Sequence, residues 1–195
     1  MKLYHMSETL KLGDELKPDY QGCMGLARPF VQALEQNVDC FYAMVLNGKY
    51  LQAVLEKIRL RQWANYVKWS VEGAFEYIRK TEFPQCTSRL HCNYFYSDLA
   101  SCQLLYEYDW AGASPEEQAG IHLYEVEVED EHPQILDMRV YDEAYDAMEK
   151  REDVRFVLDC ARRYFSGRQT ESPLWEVMSD KPARAVADIT EHLRK

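Results

Sequence analysis

Residues 121–130 read IHLYEVEVED, and this stretch decides the fold class. Val126 and Val128, with Leu123 or Tyr124, alternate with Glu125, Glu127 and Glu129. That period of two belongs to a strand with one face buried and the other in water. Immediately upstream the period changes. Ser97-Asp98 suits a helix N-cap, and Leu99, Cys102, Leu105 and Tyr106 then recur at helical spacing. Before that cap, residues 87–96 (TSRLHCNYFY) carry the aromatic and branched side chains of another strand.

Further towards the N-terminus a long helical block interrupts the strands. It is predicted to open at Pro29, where a missing N–H does no harm, and to run through Phe30, Leu34, Val38 and Phe41 or Tyr42 to Asn47-Gly48. A second helical run is expected from Tyr50 to about Lys80, with a break near Arg59 to Gln62 and a stop at Pro84. Gly13, Pro18, Gly22 and Gly25 mark the preceding stretch as loop. The chain starts with a short strand at residues 2–5 (KLYH). Downstream of the central strand, residues 141–165 hold one or two helices ending at Ser166-Gly167. LWEVM and ARAVADI read as two short strands of a terminal hairpin around Ser179 to Pro182. These patterns predict one α+β domain over residues 1–195, with the block 29–80 inside it.

Composition narrows the function. The formal charge of −10, from 23 basic and 33 acidic residues, repels polyphosphate at long range and argues against broad nucleic-acid or anionic-membrane binding. Arg59, Arg61 and Lys68 interleave with Trp63, Tyr66 and Trp69, a pattern that suits base stacking but equally an amphipathic helix. No apolar run reaches the roughly 20 residues of a membrane span, and the N-terminus lacks the apolar core of a signal peptide. A cytoplasmic location follows as an expectation.

The six cysteines, at 23, 40, 86, 92, 102 and 160, contain no C-x-x-C pair and are expected to pack as small apolar groups. Cys86, His91 and Cys92 lack a second ligand pair, so no metal is expected. The phosphate-loop, dinucleotide, zinc-protease and serine-hydrolase signatures are absent.

The order of strand ending in His5, helical block, strand with Tyr94 and Tyr96 before a helix, and late strand with Glu176 resembles the ADP-ribosyltransferase-like fold. His5 is followed two positions later by Ser7, and the stretch from Leu10 to Pro18 resembles the loop that follows the family's histidine. The resemblance implies a split or mixed sheet and NAD as substrate. It implies that Glu176 stabilises the ribosyl cation, that His5 and Ser7 hold the nucleotide, and that Tyr94 or Tyr96 stacks the nicotinamide. A carboxylate beside the ribose stabilises charge that develops only in the transition state. Arg89 offers a planar fork for a diphosphate. Leu174 stands where many protein-modifying transferases carry a second polar residue, which counts against protein as the acceptor; the acceptor stays open.

Each residue also has a structural reading. His5 fits an edge or core histidine, the tyrosines fit core packing, Arg89 fits a solvated or salt-bridged residue, and Glu176 fits the polar half of an alternating strand. The competing function is a non-catalytic module on the same fold, using the helical block as its surface for a protein partner.

Overall fold

The computed structural model describes residues 1–18, 21–47, 66–110, 112–150 and 153–193. In chain order the elements are β1 (Lys2–Ser7), β2 (Glu15–Leu16), α1 (Gln21–Gln36), α2 (Val38–Leu46), α3 (Tyr66–Glu82), β3 (Asn93–Tyr96) and α4 (Leu99–Trp110). They continue with α5 (Pro115–Gly120), β4 (His122–Val128), β5 (Gln134–Asp137), α6 (Met138–Lys150), α7 (Val154–Phe165), β6 (Trp175–Ser179), β7 (Ala183–Asp188) and a 3-10 turn (Thr190–His192). The protein is therefore α+β. Backbone contacts divide it into two compact units, one of residues 1–19, 92–136 and 174–195, the other of 20–91 and 137–173.

The first unit is built on the sheet, whose strand order is β2-β7-β4-β1-β3-β6-β5. All five pairings with a residue register are antiparallel, so the expectation of a mixed sheet is not met there. β6 and β7 do not form the expected hairpin: β6 pairs with β3, and β7 with β4 and β2. Four Cα steps join Ser179 to Ala183 and reach about 15 Å, whereas four strand spacings amount to about 19 Å. The sheet must curl for that link to close. Hydrogen bonds cross the curl: the Asn93 amide donates to Lys181 O at 3.2 Å, and Ser179 Oγ to Asp130 Oδ2 at 2.5 Å.

One sheet face gathers Leu3, Phe95, Tyr124, Val126, Val128, Val177, Ala183 and Ala185, with Leu10 and Leu16 against them. The other face buries Leu123 with Cys102 of α4, Ile121 and Leu193, and Tyr4, Met6 and Tyr96 join them. The central strand thus departs from simple alternation. Its glutamate face is wet at Glu127 but fully buried at Leu123. Residues 87–92 lie outside β3, because Ser88 turns the chain there by accepting from Leu90 N–H. The turn-rich segment before β4 contains α5, started by a capping box between Ser114 and Glu117.

In the second unit, α1 starts eight residues before Pro29 and runs through Gly22 and Gly25, which corrects the expectation of a loop there. An interior proline costs a helix about 3 kcal/mol. Burial of Leu26, Ala27, Phe30, Val31 and Leu34 offsets it, each large side chain contributing about 1.5–3 kcal/mol. α1 closes on α3 at Gly73, where an added Cβ would stand 2.5 Å from Phe30 Cβ and 3.2 Å from Ala27 O. Gly73→Ala is expected to destabilise by about 1–3 kcal/mol through overpacking, although helix propensity alone would favour alanine by ~1 kcal/mol. Urea denaturation showing a gain in stability would refute that close approach.

Asn37 caps α2 by accepting from Cys40 N–H, and Asn47 ends it as expected. The expected helix start at Tyr50 and the break at Arg59 to Gln62 lie outside the described residues. α7 ends in a left-handed Gly167 (φ 74°), with Arg168 N–H reaching Arg163 O and Gly167 N–H reaching Tyr164 O; that pairing satisfies the last carbonyls.

Candidate functional site

Residues directly opposite on antiparallel strands project to the same face, so the register sorts the candidate residues. Tyr4 of β1 lies opposite Tyr96 of β3, and Tyr96 lies opposite Glu176 of β6. These three form one row on the face that also carries Leu123. His5 is one step further along β1 and projects to the other face. There it lies opposite Tyr124 of β4, meets the Phe95 ring edge-on at 5.9 Å between centroids, and shares a row with Val177.

The three strands expected to hold the site are immediate neighbours, β1-β3-β6. Their candidate side chains nevertheless divide between the two faces: His5 and Ser7 on one, Tyr94, Tyr96 and Glu176 on the other. Tyr94 reaches His5 only through its backbone, its carbonyl accepting from His5 Nδ1 at 2.8 Å. The aromatic side chain on His5's face is Phe95, which the sequence reading passed over between the two tyrosines. Glu176 is 3% exposed, and its carboxylate does not share a face with His5. The expected pairing of a ribosyl-cation carboxylate with a histidine on one face is corrected accordingly.

Arg89 is also corrected. Its guanidinium is occupied inside the second unit by Glu72 and by the Tyr164 hydroxyl at 2.6 Å, with the Tyr141 ring 4.1 Å from Cζ. It holds the fold, and no fork is presented to a diphosphate. Ser7 Oγ accepts from Thr9 N–H and Leu10 N–H, which turns the chain out of β1 and places Leu10 on the His5 face.

His5 is the best-defined polar group on that face. A carbonyl can only accept, so Nδ1 carries the proton and Nε2 holds a lone pair, which makes no hydrogen bond among the described residues. Burial pushes the imidazole pKa down, against the opposing pull of the Tyr94 carbonyl. The ring is neutral at neutral pH and acts as a hydrogen-bond acceptor.

Around it lies a set of side chains that the sequence reading missed. Asp188 of β7 lies opposite Tyr124, and His122 of β4 lies opposite Ser7. The Tyr124 hydroxyl donates to Leu10 O at 2.6 Å. Burial raises the Tyr124 pKa, and the charges of Asp188 and Asp14 raise it further. Thr190 donates to Asp188 Oδ1 from its hydroxyl at 2.5 Å and from its N–H at 3.1 Å. His122 Nδ1 stands 3.8 Å from Asp188 Oδ2 and 3.5 Å from Thr190 Oγ1. Period two along β4 puts His122 and Tyr124 on one face, but only the register adds His5 and Asp188.

Other clusters are accounted for internally. On the opposite face Lys2, Glu127, Arg184 and Glu15 follow one another across β1, β4, β7 and β2, so each charge has opposite-sign neighbours. Cys92, Cys102 and Cys160 are buried, and burial pushes the Cys102 thiol up to about 12 and the Cys160 thiol up to about 11. They pack as apolar groups, not as nucleophiles. Among the described residues no group of three or more His, Cys, Asp or Glu could hold a metal ion, and no helix is long and apolar enough to cross a membrane.

Fold and site together define an α+β domain with a curled, largely antiparallel sheet and a histidine-bearing polar strip on one face. The chain belongs to the family described as "Protein of unknown function (DUF2441)", whose model matches residues 19–191. β4, β7 and α4 lie inside that match, while β1 with His5 and Ser7 precedes it. No curated protein matches the chain.

Proposed function

We propose that this domain binds an NAD- or ADP-ribose-type nucleotide at the face carrying His5, on an ADP-ribosyltransferase-like fold, in the cytoplasm where its thiols stay reduced. The observation that carries the reading is His5 itself. A largely buried neutral imidazole, fixed by a backbone carbonyl and with no hydrogen bond at its second nitrogen among the described residues, is an acceptor held ready for a ligand hydroxyl. The neighbouring order β1-β3-β6 supports the fold type, since it sets side by side the three strands that the resemblance singles out.

The division of faces favours binding over transfer. Transfer of ADP-ribose requires a carboxylate at the ribose that His5 holds, and Glu176 stands in the row of Tyr4 and Tyr96 instead. The reading is therefore nucleotide binding without transfer; the alternative is a non-catalytic module that uses the helical block as its surface for a protein partner. For a partner surface, the apolar patch is expected on residues 50–80 of the helical block; 50–65 lie outside the described residues, and in α3 Val67, Trp69, Val71, Ala74, Phe75 and Ile78 are buried.

Calorimetry with ADP-ribose and with NAD tests the reading. Binding is expected for the wild type and a loss of about tenfold or more for His5→Ala, the size of one hydrogen bond to a ligand. No heat at millimolar ligand overturns it. Nicotinamide release from NAD that disappears in Glu176→Gln would establish catalysis on NAD and refute the binding-only form, and analysis of the ADP-ribosyl product would separate transfer from hydrolysis.

A further inference from the structure

Among the described residues, the strand positions on the face around His5 include several acceptors and no lysine or arginine. The register places Leu3, His5 and Ser7 of β1, Asn93 and Phe95 of β3, His122, Tyr124, Val126 and Val128 of β4, and Asp188 of β7 on it. None is a lysine or arginine; the basic residues of these strands, Lys2 and Arg184, belong to the opposite face. The first basic residue after β1 is Lys11, in the following loop, where its backbone N–H is tied to Asp14 Oδ2.

His5 offers Nε2 as an acceptor. In its neutral form His122 directs an Nδ1 proton at Thr190 Oγ1 and Asp188 Oδ2, which leaves its Nε2 as a second acceptor. Asp188 is a carboxylate with its side chain 44% exposed, positioned by two hydrogen bonds from Thr190. An acceptor-rich, anionic lining is complementary to a ligand that brings hydroxyl donors. It is a poor match for a phosphate, which brings acceptors and negative charge.

We infer that His5, His122 and Asp188 form a subsite for the vicinal diol of a ribose, and that the phosphates of any nucleotide lie off this face. Diagonal neighbours such as His5 and His122 stand about 7–8 Å apart across an antiparallel pair, a span that one pentose bridges. Carboxylates serve the same purpose in dinucleotide-binding folds, where an acidic residue accepts from the ribose hydroxyl. The inference rests on the nucleotide reading for its choice of ribose, but Asp188 and His122 are outside that reading.

The experiment follows the imidazole NMR resonances of His5 and His122 in the full chain, with D-ribose, adenosine, 2′-deoxyadenosine, ADP-ribose and pyrophosphate as separate probes. Adenosine and ADP-ribose are expected to shift both rings. 2′-Deoxyadenosine should bind about tenfold more weakly, and pyrophosphate should shift neither ring nor displace adenosine. A response to D-ribose alone would show that the sugar suffices, and a response only to adenosine that the base adds to it.

Asp188→Asn, checked for an unchanged fold by circular dichroism, is expected to weaken adenosine by at least tenfold. Wild-type affinity in Asp188→Asn and in His122→Ala, or displacement by pyrophosphate, overturns the subsite. If ADP-ribose binding is lost in His5→Ala yet unaffected by Asp188→Asn, the subsite fails while the nucleotide reading stands. If adenosine binds and ADP-ribose does not, the nucleotide reading fails and the subsite stands. If no probe shifts either ring, both are refuted.

Discussion

Arg89→Ala is expected to destabilise the protein by about 3–5 kcal/mol, the cost of removing one partner from a buried ion pair. Arg89 is 8% exposed and Glu72 only 5%. The guanidinium Nε and Nη2 donate to the two carboxylate oxygens of Glu72 at 3.2 and 3.3 Å, and Nη1 donates to the Tyr164 hydroxyl. Alanine at 89 removes both donors to the buried Glu72 carboxylate and one donor to the Tyr164 hydroxyl. The penalty is that of the orphaned groups rather than of the lost attraction, since desolvation already offsets much of the attraction.

Two further variants separate these terms. Arg89→Lys keeps the charge but not the planar fork, so it should recover only part of the loss. Replacing both partners, Arg89→Met with Glu72→Leu, removes the stranded carboxylate and should cost less than Arg89→Ala alone. Urea denaturation of the three variants is the measurement. A loss below about 1 kcal/mol for Arg89→Ala, the size of an exposed pair, would show that Glu72 is solvated and the site is not a core.

The neighbouring pair repeats the arrangement one turn further along α3. Glu76, 2% exposed, accepts from Arg79 Nε and Nη2 at 2.9 Å each and from Ser88 Oγ at 2.8 Å. Together Glu72 and Glu76 fasten the segment carrying Ser88 and Arg89 to the helix. That is why residues 87–92 are not the strand that their branched and aromatic side chains suggested. Two carboxylates at i and i+4 on a helix read from sequence as a solvated stripe, and only the position of their distant partners, Ser88 12 residues from Glu76 and Arg89 17 residues from Glu72, turns them into a buried clasp.

The sheet was legible wherever a strand carried its own signal. The strand within residues 121–130, the Asp98 cap and the Gly167 stop each depend on side chains within a few residues, and each stands where expected. The first half of α1, residues 21–28, was not legible, because Gly22 and Gly25 are local helix breakers whose cost is offset by burial against α3, a distant partner; from Pro29 on the helix was read, though not its break at Asn37. The candidate site was half legible for a similar reason. Local pattern placed His5, Tyr96 and Glu176 on strands, and those strands do adjoin. Which face each side chain takes depends on register, and a shift of one residue exchanges the faces. The pairing of Tyr4 with Tyr96 therefore decides the fate of the site, and no local pattern contains it.

Phe75→Ala, in α3, is expected to cost about 3–5 kcal/mol, the range for truncating a buried aromatic. Phe75 has no exposed surface, and its ring meets Tyr141 of α6 at 5.2 Å, Tyr164 of α7 at 5.3 Å and Phe165 at 6.1 Å between centroids. Edge-to-face pairs of this kind add about 0.5–1.5 kcal/mol to the burial of the ring. Alanine opens a cavity among three aromatic side chains, two of which also flank Arg89. The two sites therefore share walls, and their effects should not add.

The sum of Phe75→Ala and Arg89→Ala reaches about 6–10 kcal/mol, comparable with the whole stability of a typical domain at about 5–15 kcal/mol. The coupling is better measured with Arg89→Lys and Phe75→Leu. If Tyr141 and Tyr164 hold the guanidinium in place only while Phe75 braces them, the double variant should lose less than the sum of the singles, by about 0.5–3 kcal/mol. Additivity within about 0.3–0.5 kcal/mol would mean that the rings hold the guanidinium without Phe75 to brace them.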